Sequence, residues 1–271
     1  MFKINNLTYQ YDKTRKALDN VSMDFNKGNI IGIIGSNCSG KSTLFNNLMG
    51  ILKSTEGEIL YNGEQIKYDK KSLYNLRKEV GIVFQDPEKQ IFYSMVYDDI
   101  AFALRNIGID EKTIKERIHT ALEAVNGLQF IDRPVHNLSF GQKKRVAIAS
   151  VVAMENKLVL LDEPTAGLDP ISTRAIVDII KGLNKRGVKI VISSHDMNLI
   201  YEICDYVYVL NQGVLINEGT REEVFINEEK IDEAGLELPW LVKLHKNMGL
   251  PLFTREEDLY SYWNHREQKT V

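Results

Sequence analysis

Cysteine is scarce in this 271-residue chain: Cys38 and Cys204 stand far apart, in no metal-gripping spacing, and the five histidines are scattered. A reducing cytoplasm fits that usage, and a structural metal does not. Long apolar runs are missing too, none approaching the roughly 20 residues that a bilayer-crossing helix needs. The opening stretch MFKINNLTYQYDK also lacks the apolar block of a signal peptide. A link to a membrane is therefore expected to run through another subunit. Charge of one sign is missing as well: 34 Lys and Arg face 37 Asp and Glu, a net charge of −3, so no basic field draws nucleic acid or anionic lipid. With 44% hydrophobic and 26% charged residues, the chain is rich enough in apolar side chains to bury one large core with a smaller lobe attached.

Periodicity divides the chain where linkers and repeats do not. Near the N-terminus Val21, Met23 and Phe25 alternate with polar neighbours, and EGEIL resumes the pattern past residue 56, which predicts half-buried antiparallel strands. Four short runs, IIGII (30–34), GIVF (81–84), LVLL (158–161) and KIVIS (189–193), are apolar at nearly every position. Strands covered on both faces read this way, so a parallel sheet flanked by helices is expected. GKSTLFNNLMG predicts a helix stopping at Gly50, and DPISTRAIVDIIKGLNKRG predicts one capped by Asp169, with Pro170 first and Gly187 past its end. Between Phe84 and Leu158 the strand signal vanishes. Ile114, Ile118, Ala121 and Val125 share one helical face, and SFGQKKRVAIASVVAME forms a second, more apolar helix, so residues 86–155 read as a helical lobe inserted into an α/β core. YVYVLNQGVLI reads as a hairpin, and an acidic, leucine-containing tail follows.

The chemistry begins at GSNCSGKST, residues 35–43. A buried strand, a glycine-bracketed loop and a helix opening at Lys41 match G-x-x-x-x-G-K-S/T in the context that the pattern requires. Backbone N–H groups of such a loop curl around phosphates and the helix N-terminus adds partial positive charge. Lys41 reaches the terminal phosphates, and the Ser42 hydroxyl can ligate Mg²⁺. If the position of Cys38 demands a positive φ, a side chain there costs about 1 kcal/mol relative to glycine, enough to weaken nucleotide binding several-fold. KLVLLDEPTAGLDP delivers adjacent Asp162 and Glu163 to the C-terminal end of a strand, where open α/β sheets bind ligands. Asp162 suits Mg²⁺ through water, and Glu163 is placed to polarise an attacking water. KIVISSHD puts His195 just past another core strand. In LSFGQKKR, Ser139 opens a helix whose free N–H groups form a second anion site, with Gly141 allowing close approach. One polypeptide rarely needs two sites for one γ-phosphate, so a partner molecule is expected to use it. Lys143, Lys144 and Arg145 read as a solvated helix face.

Taken in order, these blocks resemble the ATP-binding cassette (ABC) ATPases over roughly residues 2–218. The resemblance implies an α/β fold of the P-loop NTPase type: a mixed sheet core, an antiparallel β subdomain, the inserted helical subdomain (86–155) and a short C-terminal extension (219–271). It implies that Gly35, Ser36, Asn37, Cys38, Ser39, Gly40, Lys41, Ser42 and Thr43 form the Walker A loop holding ATP. Gln85 becomes the Q-loop glutamine, which also approaches Mg²⁺ with Ser42 and Asp162. Ser139, Phe140, Gly141 and Gln142 become the signature, Asp169 ends the D-loop, Glu163 is the catalytic base and His195 the switch histidine. Tyr11 sits where the family stacks an aromatic ring on adenine, with Tyr9 as a possible substitute. Ser36 and Cys38 depart from the common loop G-P-N-G-S-G-K-S, and Phe140 from the common signature L-S-G-G-Q.

GIVFQDPEKQIF, LSFGQKKRVAIA and DEPTAGLDP look more specifically like the ATPases of energy-coupling-factor importers, the group that includes cobalt and nickel uptake systems. The implied partners are a second ABC ATPase subunit, alike or different, a transmembrane coupling subunit and a substrate-binding membrane subunit, at the cytoplasmic face of the membrane. Ile91 and Phe92 either meet that coupling subunit or are buried in the helical lobe. A soluble ABC ATPase acting on DNA or ribosomes would want tandem cassettes, a coiled-coil insertion or a basic face, none of them visible, and nucleic acid is not an expected partner. A P-loop kinase or GTPase would leave LSFGQ without a role.

Overall fold

The computed structural model describes residues 1–12 and 15–267. Along the chain, β1 (Phe2–Gln10) and β2 (Lys16–Asp24) form an antiparallel pair, followed by β3 (Ile30–Ile34) and α1 (Lys41–Leu48). Next come β4 (Glu56–Tyr61), β5 (Glu64–Gln65), α2 (Lys70–Glu79) and β6 (Val80–Val83). Three helices then run without an intervening strand: α3 (Val96–Asn106), α4 (Glu111–Ala124) and α5 (Phe140–Ala153). The chain returns to the sheet through β7 (Leu158–Asp162), α6 (Pro170–Lys185), β8 (Lys189–Ser194) and α7 (Met197–Ile203). The hairpin β9 (Tyr206–Asn211) and β10 (Val214–Thr220) precedes the tail helices α8 (Arg221–Ile226), α9 (Glu228–Glu233), α10 (Trp240–Met248) and α11 (Glu256–Glu267). No helix among the described residues is long and apolar enough to cross a membrane.

Two sheets organise the molecule. The smaller is antiparallel, in the order β2-β1-β4-β5, as the alternating pattern implied. The larger runs β10-β9-β3-β8-β7-β6, parallel from β9 to β6, with β10 antiparallel at its edge. The four uniformly apolar runs supply β3, β6, β7 and β8. The hairpin contributes a fifth parallel strand that the local sequence did not disclose, because Tyr206–Val209 pairs with Ile31–Ile34 across 175 residues of chain. Helix α2 also went unread: only Leu76 is buried, so no apolar stripe betrays it, and its start rests on Asp69 accepting the N–H groups of Lys71 and Ser72.

Each face of the larger sheet carries its own apolar cluster. One joins Leu44, Phe45 and Leu48 of α1 to the antiparallel sheet through Phe2, Leu18 and Phe25. Fully burying a side chain of this size contributes about 1.5–3 kcal/mol, so α1 is held mainly by packing. The other runs from Ile100, Ile118 and Val146 of the helical lobe, under α6 and α7, to Val224, Phe225, Leu241 and Leu259 of the tail. Because Ile34 pairs with Ser194 and Asp162 with Ser193, the loops leaving β3, β7 and β8 emerge side by side at the C-terminal ends of these strands, where parallel sheets collect ligands.

Candidate nucleotide site

Glycine is required at two points of the loop leaving β3. A Cβ on Gly35 would lie 2.3 Å from the Leu210 carbonyl oxygen and 2.4 Å from Ser39 Oγ, while Gly40 has φ 107° and no room beside the Ala17 carbonyl oxygen. Cys38 adopts φ 63°, in the left-handed region, which meets the condition under which a side chain there stores strain of about 1 kcal/mol. Its thiol is exposed, whereas burial pushes the thiol of Cys204 far above its ordinary pKa. Helix α1 begins at Gly40 without a side-chain cap, so the first N–H groups of the helix point into the loop with no intrahelical acceptor. Ser39 is buried and its Oγ has no hydrogen-bond partner among the described residues. An uncapped helix start and an orphaned hydroxyl inside a glycine loop fit a phosphate chain.

Lys41 is 7% exposed, and its Nζ donates to the carbonyl oxygens of Gly35 (2.7 Å) and Ser36 (3.0 Å). Burial pulls the ammonium pKa below its ordinary value, and the nearby Glu163 and Asp162 carboxylates oppose that shift. The Ser42 hydroxyl donates to Asp162 Oδ2 at 2.8 Å, which fits two oxygens sharing a hard cation such as Mg²⁺. Tyr11 is 64% exposed, its hydroxyl lies 3.2 Å from Thr43 Oγ1, and the Tyr9 ring stands edge-on to it.

Strand β7 delivers Asp162 and Glu163, both 6% exposed. Asp162 Oδ1 accepts from the Ser193 hydroxyl, so its two oxygens are held from β8 and from the first turn of α1. Glu163 has φ 47°, unusual for a non-glycine residue, and costs about 1–3 kcal/mol unless the surroundings enforce it. Its N–H donates to Ser193 O and Oγ, both at 3.1 Å. Its carboxylate meets the His195 ring at Nδ1 (2.8 Å) and lies 3.9 Å from Lys41 Nζ. A buried carboxylate facing a cation and an imidazole, at the mouth of a phosphate loop, can orient and polarise a water molecule.

One cavity of about 720 Å³ gathers Tyr11, Asn37, Cys38, Ser39, Gly40, Lys41, Ser42, Thr43, Gln85, Asp162, Glu163 and His195. Asp12, Arg15, Lys16 and Gln212 line it too, which no motif disclosed. Gly35 and Ser36 stand behind its wall and enter through their carbonyl bonds to Lys41. Ser139, Phe140, Gly141, Gln142 and Asp169 are not among its lining residues. Asp169 caps α6, accepting from Ser172 N–H (2.9 Å) and Oγ (2.6 Å), bonds that hold its carboxyl below the usual range.

One expectation about α5 is narrowed and another corrected. Ser139 Oγ accepts the Gln142 N–H at 3.3 Å, and the Gln142 side chain accepts the Ser139 N–H at 3.0 Å, a capping box written in S-x-x-Q that takes two of the N–H groups at this end and leaves those of Phe140 and Gly141 as its open donors. The basic residues that follow are not a solvated face. Lys144 is 1% exposed and donates to the carbonyl oxygens of Glu163 (2.7 Å) and Ala166 (3.2 Å), while Lys143 pairs with Glu88 and Arg145 stacks on Phe130. In the segment after Gln85, Ile91 packs partly against the core, and Phe92 is 77% exposed.

A glycine loop on an uncapped helix, with an acidic pair two strands away in the same sheet, defines the P-loop nucleotide-binding class. The ABC transporter family model matches residues 18–166, just over half of the chain. The cobalt import ATP-binding protein CbiO of Salmonella typhimurium is 45% identical over 269 residues, 99% of this chain and 97% of its own length. The energy-coupling factor transporter ATP-binding protein EcfA of Methanosphaera stadtmanae is 42% identical over 248 residues, covering 92% and 89%. Among solved structures, CbiO1 of Clostridium perfringens, described as part of the ABC transporter complex CbiONQ, superposes with a TM-score of 0.78 at 41% identity, over 90% of this chain and 98% of that one. The chain therefore belongs to the ABC transporter family, as an ATP-hydrolysing cassette.

Proposed function

We propose that this chain is the ATP-hydrolysing subunit of an energy-coupling-factor importer for cobalt, nickel or a vitamin. One observation carries the reading: the loop of Lys41 and Ser42, the Asp162–Glu163 pair and His195 converge on one cavity, while the signature turn at Ser139 belongs to another part of the surface. The cavity is thus a half-site, which a second cassette completes by presenting its own Ser139–Gln142 turn. Kinship with CbiO and EcfA supports the importer type. On this reading residues 1–218 form the cassette, with 86–155 as its helical subdomain, and 219–271 an extension. The protein works at the cytoplasmic face of the membrane, held there by a coupling subunit that meets exposed Phe92 and, in turn, a substrate-binding membrane subunit.

In the proposed mechanism the loop N–H groups and Lys41 bind the phosphates, and Tyr11 stacks on the base. Ser42, Asp162 and Gln85 would hold Mg²⁺, which supplies charge neutralisation at the phosphate oxygens. Glu163 orients the attacking water and accepts hydrogen-bond density from it, His195 fixes the Glu163 carboxylate through Nδ1, and Asp169 shapes the turn facing the second cassette. Binding energy that favours the closed pair over the open one drives the coupling subunit.

Glu163→Gln tests this reading. It should leave nucleotide affinity within a few-fold and lower turnover by about 100-fold or more. With MgATP and its membrane partners the variant should accumulate as a paired cassette; a variant that stays monomeric, or keeps near-normal turnover, overturns the proposal.

A further inference from the structure

Lys144 is a buried ammonium that none of the roles above uses. It sits one turn inside α5, four residues beyond Phe140, and its Nζ is 5.6 Å from the centre of that ring. Its reach is outward from α5 to the loop after β7, where it donates to the carbonyl oxygens of residues 163 and 166. We propose that Lys144 is a positioning residue for hydrolysis: from the signature helix it holds the left-handed backbone turn that aims the Glu163 carboxylate. The proposal rests on the reading of Glu163 as the base.

The contacts around Glu163 show why such a clamp is needed. Its N–H is fixed by Ser193, and its side chain by His195, both carried by β8 and the residue after it. Its carbonyl oxygen has two donors, the Ala166 N–H at 3.2 Å and Lys144 at 2.7 Å. Without Lys144 the Glu163 carbonyl oxygen keeps one donor, the Ala166 N–H, and a non-glycine residue at positive φ is held from its N–H side and its side chain but only loosely from its carbonyl side. A methionine would fill the same space without desolvating a charge. Burial lowers the pKa of Lys144 to about 8, and the carboxylates of Glu163, Asp162 and Asp86 oppose that shift. A cation kept there at that cost, with two carbonyls as its direct partners, is built to hold a backbone. Because its stem belongs to α5, the aim of the base also follows the position of the helix that opens with the signature.

The test is a double-mutant cycle in the full-length protein, read by single-turnover hydrolysis sensitive enough for slow variants, with nucleotide affinity and melting temperature measured alongside. K144M should lower the hydrolysis rate by about tenfold or more while the ATP KM stays within about twofold, the pattern of a lost transition-state interaction. K144R, which keeps charge and donors, should recover part of the rate. Combined with E163Q, K144M should add little further loss, since residues acting as a unit are not additive. If E163Q alone keeps its turnover, the assignment of the base fails whatever Lys144 does. If E163Q is inactive but K144M hydrolyses at the wild-type rate, or the two losses multiply, the positioning role is wrong. Should K144M fail to fold, K144Q, which retains an N–H donor without charge, carries the same cycle and the same criteria.

Discussion

Two helix starts in this molecule are built in opposite ways. Helix α1 begins at Gly40 with no side-chain cap and a cation, Lys41, folded back onto its own loop. Helix α5 begins at Ser139 with a reciprocal capping box that takes up the Ser139 and Gln142 N–H groups. The first leaves donors for a ligand held within this chain. The second has its Gln142 N–H already taken, so a phosphate arriving there must compete with the Ser139 oxygen for that donor. Such a competition makes the second contact conditional, as suits a surface that meets a partner only during part of a cycle.

Three substitutions sharpen or break that contrast. Lys41→Ala removes the charge facing the phosphates and leaves two loop carbonyls short of a donor; nucleotide affinity should fall by about ten- to a hundredfold, the range for bonds to a charged group. Titration calorimetry that finds affinity unchanged would falsify the reading of α1 as the ligand-holding start. Ser139→Ala should cost about 1 kcal/mol as a lost cap, lowering the melting midpoint by about 2–4 °C, with nucleotide affinity of the single chain unaltered. A drop in that affinity would mean the two starts share one site after all. Smallest is Cys38→Gly, which removes the side chain held at φ 63° and should raise affinity by no more than about fivefold. A loss of affinity there would show that the thiol, and not the backbone, matters to the loop.

The phosphate loop, the acidic pair and the doubly covered strands were legible because each is written in contiguous residues whose spacing has one physical meaning. What escaped depends on distant partners. Lys144 carries the same side chain as any surface lysine, and only the fold sets it beneath Glu163. Glu163, at its left-handed φ, is bonded at its N–H to Ser193 and at its carbonyl oxygen to Lys144, neither adjacent in sequence. Strand β9 is parallel to β3 because of long-range pairing, although its own residues spell only a hairpin. The capping box is a different case: S-x-x-Q was present at Ser139, and the glycine beside it drew the reading towards open N–H groups.

The tail shares its packing with the elements that carry the candidate site. Val224, Phe225, Leu241 and Val242 belong to the same apolar cluster as Ile192 of β8, the strand that leads to His195, and Ile148 of α5. Heat or denaturant acting on such a cluster has no seam to open between cassette and extension. Shortening the C-terminal end would therefore uncover oily surface beneath α7 and loosen the ground on which His195 stands, however far the cut lies from the nucleotide.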